Sequence, residues 1–352
     1  MTEFTMRTGT GKPLYMSKEQ IRSDLEDGAN WAATKAKIPE LSANEIDRIL
    51  DILVRPGRQI GVEQGKGIVL TTDGGTTRYT GICRYSAMPV SREQAVIIGE
   101  RFIGFDTFEI GHADYSFRPV KTIAMDEATV IENTELNSVI PVFYGAMPNL
   151  GIYFQSQGGK WPSPTDFMNE GKIDEARAVQ ESAAEDMTND IVYVAKIFAE
   201  TGLDGLDIDT TAAAGDADFY GTLKAIEIIK KETNLALEVG MAGEKVFGLH
   251  ADLKYDGERL AGMWPHQQGL MVEKAGGDLF GAVINTDTGK SCPWNLARSI
   301  TFVKEVMKTV SIPVHPNMGM GVGGIPMCEV IPMDVVTRSG VAMVELTNCD
   351  GV

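Results

Sequence analysis

Asp207 and Asp209 stand two residues apart in LDGLDIDT (203–210), and further carboxylates follow at Glu238 in LALEVGM (235–241) and at Glu244 just beyond it. Side chains alternate across a strand, so Leu206 and Ile208 take one face of the first segment and the two aspartates the other. The same alternation sets Glu109, Glu238, Asn285 and His315 opposite their apolar neighbours in FDTFEIGH (105–112), LALEVGM, LFGAVINT (279–286) and IPVHPNMG (312–319). Closely spaced carboxylates raise one another's pKa, so that one becomes a usable proton carrier. A histidine beside them can shuttle protons; the alternative for His315 is a hydrogen-bonded core position. His266 and Gln267 open a helix in WPHQQ, where they either face a ligand or simply cap the helix. For any one of these residues, a solvated loop position just past a strand is the plain alternative.

The elements that would position these groups are rhythmic from about residue 100. Helical stretches are expected at 173–200, 216–232, 265–276, 294–310 and 333–346, between short apolar strands at 105–112, 139–146, 203–210, 235–241, 279–286 and 312–319. Such alternation means βα units and a parallel sheet. A doubly wound sheet should carry G-x-G-x-x-G after its first strand, where this chain has GHADYSFRP. The run GMGVGG (319–324) follows a late strand and is a weak phosphate-loop signal. Polar groups recurring at the C-terminal ends of strands fit a barrel active site better than an open sheet. The expected fold is therefore α/β, a (β/α)8 TIM barrel over 101–352, C-terminally incomplete, with an N-terminal α/β appendage over 1–100. In that appendage two short helices are expected, at 18–26 and 42–53, the second opened by a Ser42–Glu45 capping box. Asp73-Gly74-Gly75 marks a hairpin.

The 352 residues, 43% hydrophobic and 23% charged, suit a folded globular protein with a large core. A net charge of −17 without basic patches argues against nucleic acid and weakly favours a cationic ligand or partner. No apolar run has the length of a signal peptide or a membrane span, and the expected compartment is the cytoplasm. Cys83, Cys292, Cys328 and Cys349 are scattered, as are the four histidines, so neither disulfides nor a metal held by this chain is expected.

Several strands are introduced by one phrase: a helix ends, Gly or Asn follows, then an acidic residue and the strand, as in AETGLDGLDID and EKAGGDLFGAVIN. MVELTNCDGV at 343–352 begins the same phrase, so a further strand is expected after Val352. An eight-stranded barrel needs more strands than the six counted and the seventh begun here.

The segments GHADYSFRPVK (111–121), VIPVFYGAMPNLGIYF (139–154), LDIDTTAAAGDADFYGTL (206–223), GMAGEKVFGLHADLKYDG (240–257), LAGMWPHQQ (260–268), NTDTGKSCPWNLARS (285–299) and NMGMGVGGIPM (317–327) together resemble the dimethylamine methyltransferases of archaea and bacteria. The resemblance runs collinearly over the chain and is weakest over 65–90. It implies a TIM barrel that passes a methyl group from dimethylamine to the Co(I) of a separate, dimethylamine-specific corrinoid protein. This chain would then bind no cofactor tightly itself. It also implies a pyrrolysine shortly after the phrase that here reads CDGV, absent from this sequence, so that the 352 residues alone are expected to be unstable and inactive. On that reading Asp209, Glu238, Glu244, His266 and His315 are the candidate acid–base groups. Asp207, Gln267 and Asn285 are the candidate substrate contacts. Exposed barrel edges favour assembly of several copies. The rival readings are a pterin-linked or methoxyl-specific TIM-barrel methyltransferase, a non-catalytic pocket for quaternary amines, and an inactive product of incomplete readthrough. An amine-binding pocket would cage its cation with aromatics, yet aromatic residues are only 7% of the chain and do not cluster at strand ends.

Overall fold

A computed structural model describes residues 3–55, 148, 150–202, 205–249, 252–319, 321–328 and 332–352. The expected strands at 105–112 and 139–146, with Glu109, and the turn at Asp73-Gly74-Gly75 lie outside the described residues, as does Cys83.

The chain opens with an antiparallel hairpin, β1 (Phe4–Arg7) and β2 (Pro13–Met16). Helix α1 (Lys18–Ala36) follows and is closed at its start by a reciprocal cap: Gln20 N–H donates to Ser17 Oγ at 3.3 Å while Ser17 N–H donates to Gln20 Oε1 at 2.8 Å. Helix α2 (Ala43–Val54) has the same device from Ser42 and Glu45 and buries Ile46, Ile49, Leu50 and Leu53, a 3.6-residue stripe. Helix α1 runs ten residues beyond the expected 18–26 stretch. Its second half, DGANWAATKA, carries four alanines whose helix propensity offsets the cost of Gly28. At Gly28 the helix approaches so closely that an added Cβ would lie 2.1 Å from the Trp294 carbonyl oxygen.

Two helices, α3 (Pro164–Asn169) and α4 (Ile173–Glu200), precede the parallel sheet. The sheet begins with β3 (Gly205–Thr211), then α5 (Asp216–Glu232) and β4 (Ala236–Met241). A small hairpin, β5 (Lys254–Tyr255) with β6 (Glu258–Arg259), interrupts the connection to α6 (Pro265–Ala275). Then come β7 (Leu279–Gly281), α7 (Cys292–Thr309) and α8 (Met333–Thr347). Strands β3, β4 and β7 are adjacent and parallel. Phe280 then bridges Val314 in parallel, and the Asp350 amide donates to the Val314 carbonyl at 3.0 Å. Neighbours in the sheet therefore follow chain order from β3 to the last residues. Leu206, Ile208, Leu237, Val239, Phe280 and Val314 are all fully buried, which makes their face the floor of the core. The chain is a mixed α/β protein with a parallel sheet and, among the described residues, eight α-helices.

Two expected strands are shorter than their apolar text. Only Leu279–Gly281 of 279–286 is strand; Asn285 leaves the sheet and bridges Val322. Of 312–319 only Val314 bridges, because Pro313 and Pro316 bring no N–H to a ladder. Within the GMGVGG run the Gly323 amide donates to Ile284 O at 2.9 Å.

The repeated strand-opening phrase has a physical reason. Asp278 N–H donates to Leu237 O at 2.8 Å, and its carboxylate accepts the Leu237 N–H at 2.7 Å while pairing with Lys230 at 2.8 Å. Asp350 repeats both bonds on Val314, at 3.0 and 2.9 Å. Each acid closes a ring on the strand before it, and Asp278 in this way fixes where β7 starts. Asp278→Ala removes the acceptor of the Leu237 amide and is expected to cost about 1–3 kcal/mol, read from the shift in denaturation midpoint.

Candidate functional site

The polar groups of the parallel strands lie on the face opposite the apolar one: Asp207 and Asp209 on β3 and Glu238 on β4. In the β3–β4 register Asp207 stands opposite Glu238, and Ile208 opposite Val239, so the carboxylates of both strands share the face away from the helices. Glu238 Oε1 lies 3.1 Å from Nδ1 of His315, which comes from beyond β7. Both side chains are largely buried, with 14% and 17% of their surfaces exposed. Burial by itself would disfavour a charged imidazole. The Glu238 hydrogen bond and charge, with a hydrogen bond from the imidazole to the Val352 backbone, outweigh it and hold the His315 pKa above its ordinary value. The pair is thus set up to share a proton.

Asp209 is placed by a local distortion. The β3–β4 register shifts between Ile208 and Thr211, and Thr210 takes a left-handed φ of 54° that a β-branched residue rarely adopts. A bulge of this kind re-aims a side chain. Here the Thr210 amide donates to Asp209 Oδ1 at 2.7 Å, and that oxygen lies over β4, where a Cβ on Gly240 would come within 2.7 Å of it. Only glycine leaves room for the carboxylate at that point.

Asp218, inside the quoted GDADF phrase, escaped the sequence reading as a functional residue. It is fully buried, and its carboxylate accepts the amides of Ala212 at 2.9 Å and Ala214 at 3.3 Å, with a further backbone bond at Leu150. Burial pushes its pKa up to about 7 against the opposing pull of those amides. A carboxylate two residues inside a helix start, after a glycine, is the signal that could have found it. It moulds the loop that follows β3.

Glu244 and Asn285 are brought together by a residue the sequence reading did not single out. Arg298 of α7 pairs with Glu244 and donates from Nη1 to Asn285 O at 2.7 Å, while the Asn285 amide donates to Glu244 Oε2 at 3.1 Å. The Arg298 guanidinium also lies 4.6 Å over the Trp31 ring. An arginine inside a helix that is buried almost all round is itself a sign of a paired charge. His266 and Gln267 sit apart, at the start of α6. Gln267 Oε1 accepts the Trp264 amide at 3.1 Å, a helix cap. Burial lowers the His266 pKa, and its charged neighbour is Glu305 on α7. No group of three or more metal-ligating side chains occurs among the described residues, and no described helix is long and apolar enough to cross a membrane.

Compared with known proteins, residues 2–352 match the family model described as dimethylamine methyltransferase (Dimeth_PyL).

Asp218 gives this site a pH signature. Its folded pKa, about 7, lies above the unfolded value of 3.8, so the folded state binds the proton more tightly. The associated stability is complete below pH 3.8 and is lost as pH rises to about 7. Asp218→Asn should flatten the decline in unfolding free energy across that window, measured by denaturation at several pH values.

Proposed function

Since the chain belongs to the dimethylamine methyltransferase family, we propose that it transfers one methyl group from dimethylamine to the Co(I) of a separate corrinoid protein and releases monomethylamine. The observation that carries this reading is the buried Glu238–His315 pair, on the polar face of a parallel sheet and in contact with the Val352 backbone. The proposed scaffold is a (β/α)8 barrel. Doubly wound sheets reverse their strand order at a switch point, whereas here neighbours keep chain order from β3 through Asp350. Barrel chemistry is built at the C-terminal ends of the strands; Asp209 lies toward that end of β3, while Glu238 stands deeper in β4 and meets His315 across the sheet.

Breaking the C–N bond requires a nitrogen that can leave with the bonding pair, so the nitrogen must be cationic or bound to an electrophile. In the overall step the Co(I) electron pair forms the Co–C bond, the C–N pair goes to nitrogen, and dimethylammonium becomes monomethylamine. The family resemblance puts a pyrrolysine after the CDGV phrase as the electrophile for the amine. The chain's own groups then have three tasks. Asp207 and Asp209 draw the ammonium to the face they share. Glu238 takes a proton from it so that the amine can add to the electrophile, and the Glu238–His315 pair returns that proton to nitrogen as the C–N bond breaks. The loops after β4 and β7 hold the amine in line with its acceptor, which is catalysis by positioning.

The test supplies dimethylamine and a corrinoid protein held as Co(I) to protein made from its gene in cells that encode pyrrolysine. Methyl-Co(III) and monomethylamine should form in equal amounts. Glu238→Gln and His315→Gln should each lower kcat about 10²–10⁴-fold, the usual worth of a general acid or base. Faster turnover of another methyl donor, or transfer to a pterin in place of cobalt, sinks the assignment.

A further inference from the structure

We infer that Glu244 is not a proton carrier but the anchor for Arg298, and that Arg298 is a positioning residue fixing the loops after β4 and β7 beside the Glu238–His315 pair. The inference rests on the proposed methyl transfer for its purpose, although its geometry stands alone.

Three contacts close a ring. Arg298 pairs with Glu244 in the loop after β4, donates to Asn285 O at 2.7 Å in the loop after β7, and the Asn285 amide returns a bond to Glu244 at 3.1 Å. The Arg298 side chain is only 4% exposed, against 19% for Glu244. A proton on Glu244 would strip the buried guanidinium of its counter-charge, which is costly. A carboxylate so committed is a poor shuttle, while Glu238 has a titratable partner in His315.

The ring is braced from outside both loops. The guanidinium rests 4.6 Å over Trp31 of α1, with the rings of Phe302 and Trp294 at 5.6 and 5.9 Å. On the inner side Gln268, fully buried in α6, donates to Gly243 O at 3.3 Å. The Asn285 amide nitrogen lies over Gly243, where a Cβ would come within 2.8 Å. The loops leave the sheet after β4, which carries Glu238, and after β7, which lies between β4 and the Val314–His315 segment, so their placement sets the walls around the pair. A planar fork that satisfies two acceptors at fixed angles is a role lysine cannot fill.

The experiment uses the full chain with two readouts: calorimetric binding of dimethylammonium chloride against pH, and hydrogen exchange of amides in 242–248 and 285–291. Arg298→Lys, which keeps the charge and the fold but not the fork, should weaken binding about tenfold and speed exchange in both loops, leaving β3 and β4 unchanged. Glu244→Gln should do the same without moving the pH midpoint of binding, whereas Glu238→Gln should move it. The double variant Glu244→Gln/Arg298→Lys should lose no more affinity than either single change, because both break one ring. A shifted midpoint in Glu244→Gln, or losses that multiply in the double variant, overturns the inference. If the unaltered chain binds no dimethylammonium, the functional reading is what has failed. The exchange data then still decide the positioning role, since unaltered loop exchange in Arg298→Lys refutes it.

Discussion

Parallel pairing of β3 with β4, Leu206 against Leu237 and Ile208 against Val239, commits every other side chain of both strands at once. The apolar set faces the helices and is fully buried. A slip of one residue would bury Asp207, Asp209 and Glu238 against that helical layer instead. The energetic cost of such a slip is that of burying several carboxylates among apolar groups. The register that fills the core therefore also delivers the carboxylates to one face, and His315 reaches Glu238 only because that face is held.

Register needs an origin, and Asp278, the acid that opens β7, supplies one. Asp278 and Asp350 each bond both ways to the strand before them. These bonds lie directly beside the chemical pair, since Leu237 precedes Glu238 and Val314 precedes His315. The acids that fix alignment thus also hold the backbone one residue away from each member of the Glu238–His315 pair. Asp218 belongs to neither group, since it holds the loop after β3 by accepting backbone amides from within the core.

Strain and close approach gather at the chemical end. Thr210 and Ala212 both take left-handed backbone angles, φ 54° and 66°, within the turn that follows Asp209. Such residues persist where surrounding structure over-determines them, and they cluster at functional sites. The buried Arg298 ring acts in the same region but by a different means, tying two loops to the helical layer and to α1 through Trp31. The N-terminal helix is in this way part of what braces the site.

The helices were legible in the sequence because their causes are local. The stripe of Ile46, Ile49, Leu50 and Leu53 and the Ser42–Glu45 cap lie within one turn or two of each other. Strand faces were legible for the same reason, since alternation alone separates Asp207 and Asp209 from Leu206 and Ile208. Family membership came from long collinear phrases, which the match over residues 2–352 shares. Strand ends were less so: the apolar runs at 279–286 and 312–319 continue past the paired residues, because pairing depends on a neighbour's free N–H and C=O groups. Tertiary structure alone decided the rest. The bond between Glu238 and His315 joins residues 77 apart, and that between Arg298 and Glu244 joins residues 54 apart. No local spacing encodes such partners, because charge and hydrogen-bond pairing is settled by which surfaces the packed helices and the sheet register bring within about 3 Å of each other.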